Sequence, residues 1–210
     1  MIRFVVAGLM AACLPLAACN VVVTKTPLFA KADESGAPTL RPGLWRLGSE
    51  PDCKVDESKP LIDWPKCARG VVIRDGAGGY YERESGAPVW TTQPLIFAAG
   101  TPRIGQVQAK VSGDVKTSVN PYIYAGIRAT KSDGEGRIVA LSLWPVQCGP
   151  PPPGEETGGT TKHPLAGIEM TQADPVCTTK SSDALRAAAK ASEAWAPQLM
   201  TARWLRDAER

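Results

Sequence analysis

The chain is predicted to be mainly β: an antiparallel sheet or barrel-like meander of about seven or eight strands, with one or two helices at its C-terminus. Three observations carry this. From Pro42 onward, short segments alternate apolar and polar residues, the pattern of strands with one buried face. The 20 glycines and 19 prolines punctuate the chain into short elements rather than long helices. A helical period begins only after residue 181.

The first element is a leader. Arg3 precedes an apolar run from Phe4 to Ala18, which ends in Leu16, Ala17, Ala18 and Cys19. One positive charge, an apolar stretch and small residues before a cleavage point are the parts of a signal peptide. Leu16 to Cys19 resembles the lipobox of bacterial lipoproteins, in which the cysteine is diacylated and the residues before it are removed. That resemblance covers residues 1–20. It implies a signal peptide at 1–18, lipidation of Cys19 and a membrane partner reached through the lipid. Cys13 also follows two alanines, but Met10 stands where the lipobox has Leu. The apolar run through Val23 is also long enough, at about 1.5 Å per residue, to cross a bilayer core of about 30 Å. An uncleaved anchor and ordinary secretion are therefore the alternatives, and all three readings put the body outside the cytoplasm. Asn20 after the cysteine, in place of Asp, implies the outer membrane with the body facing the periplasm.

Residues 19–41 are expected to form the lipidated cysteine and a flexible tether, because Lys25, Pro27, Lys31, Asp33, Ser35, Gly36 and Pro38 break any period. The antiparallel β domain is placed at 42–180. Its strands start with Leu44 to Leu47, then a hairpin of Val71 to Arg74 with Tyr80 to Glu84 across Gly76 to Gly79, then Leu95 to Ala98. Val107, Ala109 and Val111 point one way, with Gln106, Gln108 and Lys110 opposite. Ile123, Ala125, Ile127 and Ala129 repeat this, with Tyr122, Tyr124, Arg128 and Thr130 on the other face. A turn at Asp133 to Gly136 then leads to Val139, Leu141 and Leu143, a hairpin signature. Gly167 to Met170 completes the set.

Residues 181–210 are expected to be a helical segment packed on the sheet. Ser182 can cap a helix that carries Asp183 in its first turn and Leu185, Ala188, Ala189, Ser192 and Trp195 at helical spacing. Pro197 is expected to open a second short helix bearing Leu199, Ala202, Trp204 and Leu205.

Six cysteines are present; leaving aside Cys13 and Cys19, the set Cys53, Cys67, Cys148 and Cys177 is even and should pair in an oxidising compartment. Three connectivities are open, and local closure favours Cys53 with Cys67 and Cys148 with Cys177. A zinc site is disfavoured, since no two-residue Cys spacing and no His pair occurs.

Gly43, Leu44 and Trp45 resemble the Gly-x-Trp motif that opens the first strand of lipocalins. That resemblance implies a closed barrel holding a small apolar ligand. Trp45, Tyr122 and Tyr124 are the candidate binding residues. Trp64 to Cys67 and Trp144 to Cys148 each couple a Trp to a Pro and a Cys; packing against a disulfide is the preferred reading, an aromatic platform for glycan or lipid the other. Pro150 to Pro153 form a stiff polyproline segment that an envelope protein partner could dock on, within a loop running to Lys162 that otherwise reads as disordered.

Catalytic equipment is sparse. His163 is the single histidine and precedes Pro164 in that loop. No nucleophile elbow, zinc helix or phosphate-binding glycine loop occurs. Glu82 with Glu84, and Glu155 with Glu156, are carboxylate pairs, but Arg74 and Arg83 lie close to the first pair and make surface ion pairs the plainer account. The net charge of +3, with both signs interspersed, offers nucleic acid no basic stripe. The sequence therefore points to a membrane-anchored periplasmic lipoprotein without enzymatic activity, cofactor or metal, acting as a binding or envelope structural module. A lipocalin-like carrier and a hydrolase of unrecognised type are the alternatives.

Overall fold

The computed structural model describes residues 20–48, 52–82, 87–109, 121–152, 161–170, 176–196 and 199–207. Residues 1–19, with Cys13 and Cys19, lie outside the described residues, as do Arg83, Glu84, Val111, Pro153, Glu155, Glu156 and Pro197.

Alternation of inward apolar and outward residues closes the chain on itself as an antiparallel barrel. The strands are β1 (Val23–Thr24), β2 (Gly43–Leu47), β3 (Gly70–Arg74), β4 (Ala77–Glu82), β5 (Val89–Ala98), β6 (Arg103–Gln108), β7 (Tyr122–Ser132), β8 (Ile138–Pro145), β9 (Glu169–Met170), β10 (Cys177–Thr178) and β11 (Met200–Arg206). Around the ring the order is β7-β6-β5-β4-β3-β2-β11-β8, and β8 pairs back onto β7. An eight-stranded ring is just wide enough for its own side chains to fill. Trp45, Leu47, Val71, Ile73, Leu95, Val107, Ala125, Ile127, Leu141, Leu143 and Ala202 do so here. The expected β class and the β7–β8 hairpin are both present, the latter with Asp133 Oδ1 accepting from the amides of Glu135 (3.0 Å) and Arg137 (2.9 Å).

The hairpin between β3 and β4 departs from the expected one. Its turn is only Asp75 and Gly76, with φ of 51° and 74°, the left-handed pair that a tight two-residue hairpin needs. Ala77, Gly78 and Gly79 therefore belong to the strand. Gly78 faces inward, where a side chain would meet Leu95 and Val71, and Gly79 faces out under Trp90.

A second apolar layer lies outside the ring. Helix α1 (Ser182–Trp195) starts at Ser181, whose Oγ accepts from the Ala184 amide at 3.1 Å, one residue before the expected cap. It packs on β7 and β8 through Leu185, Ala188 and Ala189. Trp144 turns outward to meet it and donates to the Ala189 carbonyl at 2.8 Å.

Two expectations are corrected. The stretch from Asn20 to Arg41 is not a tether. Val22 and Phe29 are buried in the outer layer, β1 pairs with the part of β7 that β8 leaves uncovered, and Gln106 holds the segment in place. The Gln106 carboxamide accepts from the amides of Leu28 and Phe29 and donates to the Phe29 carbonyl, each at 2.9 Å. This irregular docking leaves no periodic trace in the sequence. The second C-terminal helix is likewise replaced by β11, inserted between β2 and β8. Over seven residues a period of two and one of 3.6 look alike, and the two strands beside the gap require a backbone partner.

An outer groove and the fate of the candidate residues

The barrel interior is not a ligand chamber. The void among its core side chains measures about 30 Å³, space for roughly one water, whereas drug-sized ligand sites need about 300 to 1,000 Å³. Trp45 is 1% exposed, packed in this core with Nε1 donating to the Arg41 carbonyl at 2.9 Å. Tyr124 faces the opposite way, buried against Phe29, and its hydroxyl meets Thr24 Oγ1 at 2.6 Å. Burial pushes its phenol up, and the hydrogen bond with Thr24 opposes this only in part. Tyr122 is half-buried in the same outer layer. The structure thus separates Trp45, inside the barrel, from Tyr122 and Tyr124, which share the outer layer.

Trp64 and Trp144 are both buried, which leaves neither as an exposed platform. Trp64 sits over Gly70 beneath the 53–67 loop, near Cys53, and donates to the Lys59 carbonyl at 3.1 Å. The disulfides are Cys53–Cys67 and Cys148–Cys177, each with Cα atoms 5.8 Å apart, the local pairing. Glu82 accepts from Thr91 at 2.8 Å and from the Tyr80 hydroxyl at 3.4 Å. Burial, reinforced by the Glu82 charge, raises the Tyr80 phenol. His163 is exposed in its loop, its amide donating to Thr161 Oγ1 at 3.1 Å. Among the described residues no group of three His, Cys, Asp or Glu side chains converges to hold a metal, and no helix is long and apolar enough to cross a membrane.

A groove of about 740 Å³ lies on the outer wall, over β3, β4 and the start of β5. Its aromatic floor is Trp90 and Tyr81, packed edge to face with ring centres 5.0 Å apart and planes at 68°. Trp90 is 46% exposed, its indole lying over Gly79. One bank is the disulfide loop, whose 3-10 turn Leu61–Asp63 presents Leu61 and the exposed Ile62. Arg206 pins that bank by donating to the backbone carbonyls of Glu57 and, at 2.7 Å, Lys59. Glu57 in turn bridges Arg46 and Arg203, the latter at 2.6 Å. Burial raises the Glu57 carboxyl, but the hydrogen bonds from Arg46 and Arg203 outweigh this and hold it below its ordinary value.

Besides Arg206 and the Tyr81 phenol, the polar groups lining the groove are Arg74, Asp75 and Thr92. Among the described residues lining it, Asp75 is the one carboxylate, so the paired acids that hydrolysis of a glycosidic bond requires do not face each other there. Sequence reasoning passed over Trp90 because β5 was read as starting at Leu95. A signal was available: the outward positions Trp90, Thr92 and Pro94 alternate with inward Thr91, Gln93 and Leu95, which places the aromatic residue outside and polar residues inside. No protein-family model, curated protein or solved structure matches this chain.

Proposed function

We propose that the chain is a lipid-anchored binding module of a bacterial envelope, which holds a carboxylate-bearing glycan in the outer groove without chemical turnover. The groove carries the reading. A flat, half-exposed indole lining the groove suits the apolar face of a sugar ring, because aromatic side chains supply large rigid area at low entropic cost. Arg74 makes no hydrogen bond or ion pair with any described residue, and its planar fork matches a carboxylate. Thr92 adds a hydroxyl. A peptide is a poorer occupant, since β3, β4 and β5 are paired on both sides and offer no free edge for strand addition.

The anchor rests on Leu16 to Cys19, and the two disulfides favour an oxidising compartment such as the periplasm. The outer membrane follows from Asn20 at the position after the cysteine. Calorimetric titration of the purified protein with uronic-acid oligosaccharides and with neutral counterparts tests the groove. Binding is expected to be selective for the acidic series and to weaken about tenfold or more in Trp90→Ala and in Arg74→Ala. Equal affinity of both variants and the parent would remove the groove from the proposal.

A further inference from the structure

We infer that the protein lies directly on its membrane, with the surface formed by Pro150 to Pro152 and Lys162 to Pro164 against the lipid headgroups. The inference rests on lipidation of Cys19, and it follows from how early the chain is captured by the fold.

Asn20, the residue next to the acceptor cysteine, is 4% exposed. Its carbonyl accepts from the Cys148 amide at 3.0 Å, and its Nδ2 donates to the Gly149 carbonyl at the same distance. Val21 bridges Gln147, and the Val22 amide donates to the Val146 carbonyl at 2.9 Å. The first residue after the lipid is thus already part of the body. Consecutive Cα atoms stand about 3.8 Å apart, so no leash separates the acyl chains from the folded surface. Freeing one would mean pulling Val22, and then Phe29, out of the outer core.

The surface beside Asn20 is formed by two segments held together. The Leu165 amide donates to the Cys148 carbonyl at 2.9 Å, and Gly149 lies so close to the His163 carbonyl and Thr161 Oγ1 that any side chain there would overlap them. Lys162, His163 and Pro164 are exposed on this surface, and Lys162 supplies a cation for anionic headgroups. Pro150 to Pro152 flank it, which assigns that stretch to the membrane rather than to a protein partner. The groove strands β3 and β4 stand three or four places round the eight-stranded ring from β7 and β8, where the N-terminal segment docks. The groove therefore faces away from this wall and stays open to the aqueous compartment.

The test is hydrogen exchange on the full-length lipidated protein in vesicles of phosphatidylethanolamine and phosphatidylglycerol. The comparison is a form with a flexible Gly-Ser insert of about 12 residues between Cys19 and Asn20, which averages about 20 Å of reach. Amides of Lys162 and His163 are expected to exchange several-fold more slowly in the natural protein than in the insert form. Strands β3 and β4 should exchange equally in both and report that each is folded. Equal exchange at Lys162 and His163, with acyl chains confirmed by intact mass, would overturn the membrane-facing surface and leave the anchor standing. An intact mass without acyl chains would overturn the anchor itself, and this orientation with it.

Discussion

The indole of Trp90 occupies the space above Gly79 that any side chain at that position would need: a Cβ there would lie well inside 3.0 Å of the ring. Trp90 is nearly half exposed and can swing out, so Gly79→Ala is expected to keep the fold, with stability changed by about 1 kcal/mol or less, while glycan affinity falls as far as in Trp90→Ala. Gly126 makes the contrasting case. Its missing side chain is replaced by Trp144, which is fully buried and tied to the Ala189 carbonyl. Gly126→Ala has nowhere to push the ring and should cost about 1 to 3 kcal/mol. Urea unfolding of both variants, beside titration with the acidic glycan, checks the pair.

Phe29→Ala distinguishes a docked segment from a tether. Phe29 meets Tyr124 edge to face at 6.5 Å, and the Arg186 guanidinium lies over its ring, 4.8 Å from the centre. Removing the ring should destabilise the barrel by about 3 to 5 kcal/mol. Lys31→Ala, on the exposed turn nearby, should change stability by about 0.5 kcal/mol or less. Matching unfolding midpoints for Phe29→Ala and the parent, under non-reducing conditions, would return residues 20–41 to the role of a leash.

Acid should loosen the bank of the groove through Glu57. Its carboxyl is held below the ordinary value of 4.5 in the fold, so the native state binds fewer protons than the unfolded chain does. The stabilisation is complete above about pH 4.5 and is lost as pH falls through the lower native value. Since Glu57 is partly solvated, about 1 kcal/mol is expected. Asp133, also lowered, as bonds from Arg137 outweigh its burial, titrates in the same acidic window. Glu57→Gln should therefore reduce, and not abolish, the loss of stability between pH 7 and pH 3, measured as the shift in urea midpoint.

Much of the fold was legible residue by residue. The alternation of Ile123, Ala125 and Ile127 against Tyr122, Tyr124 and Arg128 put the apolar set inside the barrel, because a period of two admits one buried face. The helical spacing of Leu185, Ala188 and Ala189 marked α1 for the same kind of reason. The pairing of Cys53 with Cys67 followed from closeness along the chain. The candidate site was much less legible: the motif that drew attention to Trp45 is a core feature, and Trp90 emerged only when β5 was seen to begin at Val89.

Local pattern and composition alone determined that this would be a β protein with oxidised cysteines, a helix near its end and an N-terminus resembling a lipidation signal. Whether the sheet closed, how much space it enclosed, and what became of the segments lacking any period were decided by tertiary structure. Strand edges must find backbone partners, so Met200–Arg206 became the strand between β2 and β8 and shut the ring. Single apolar residues such as Val22 and Phe29 gained from burial only once an outer wall existed to receive them.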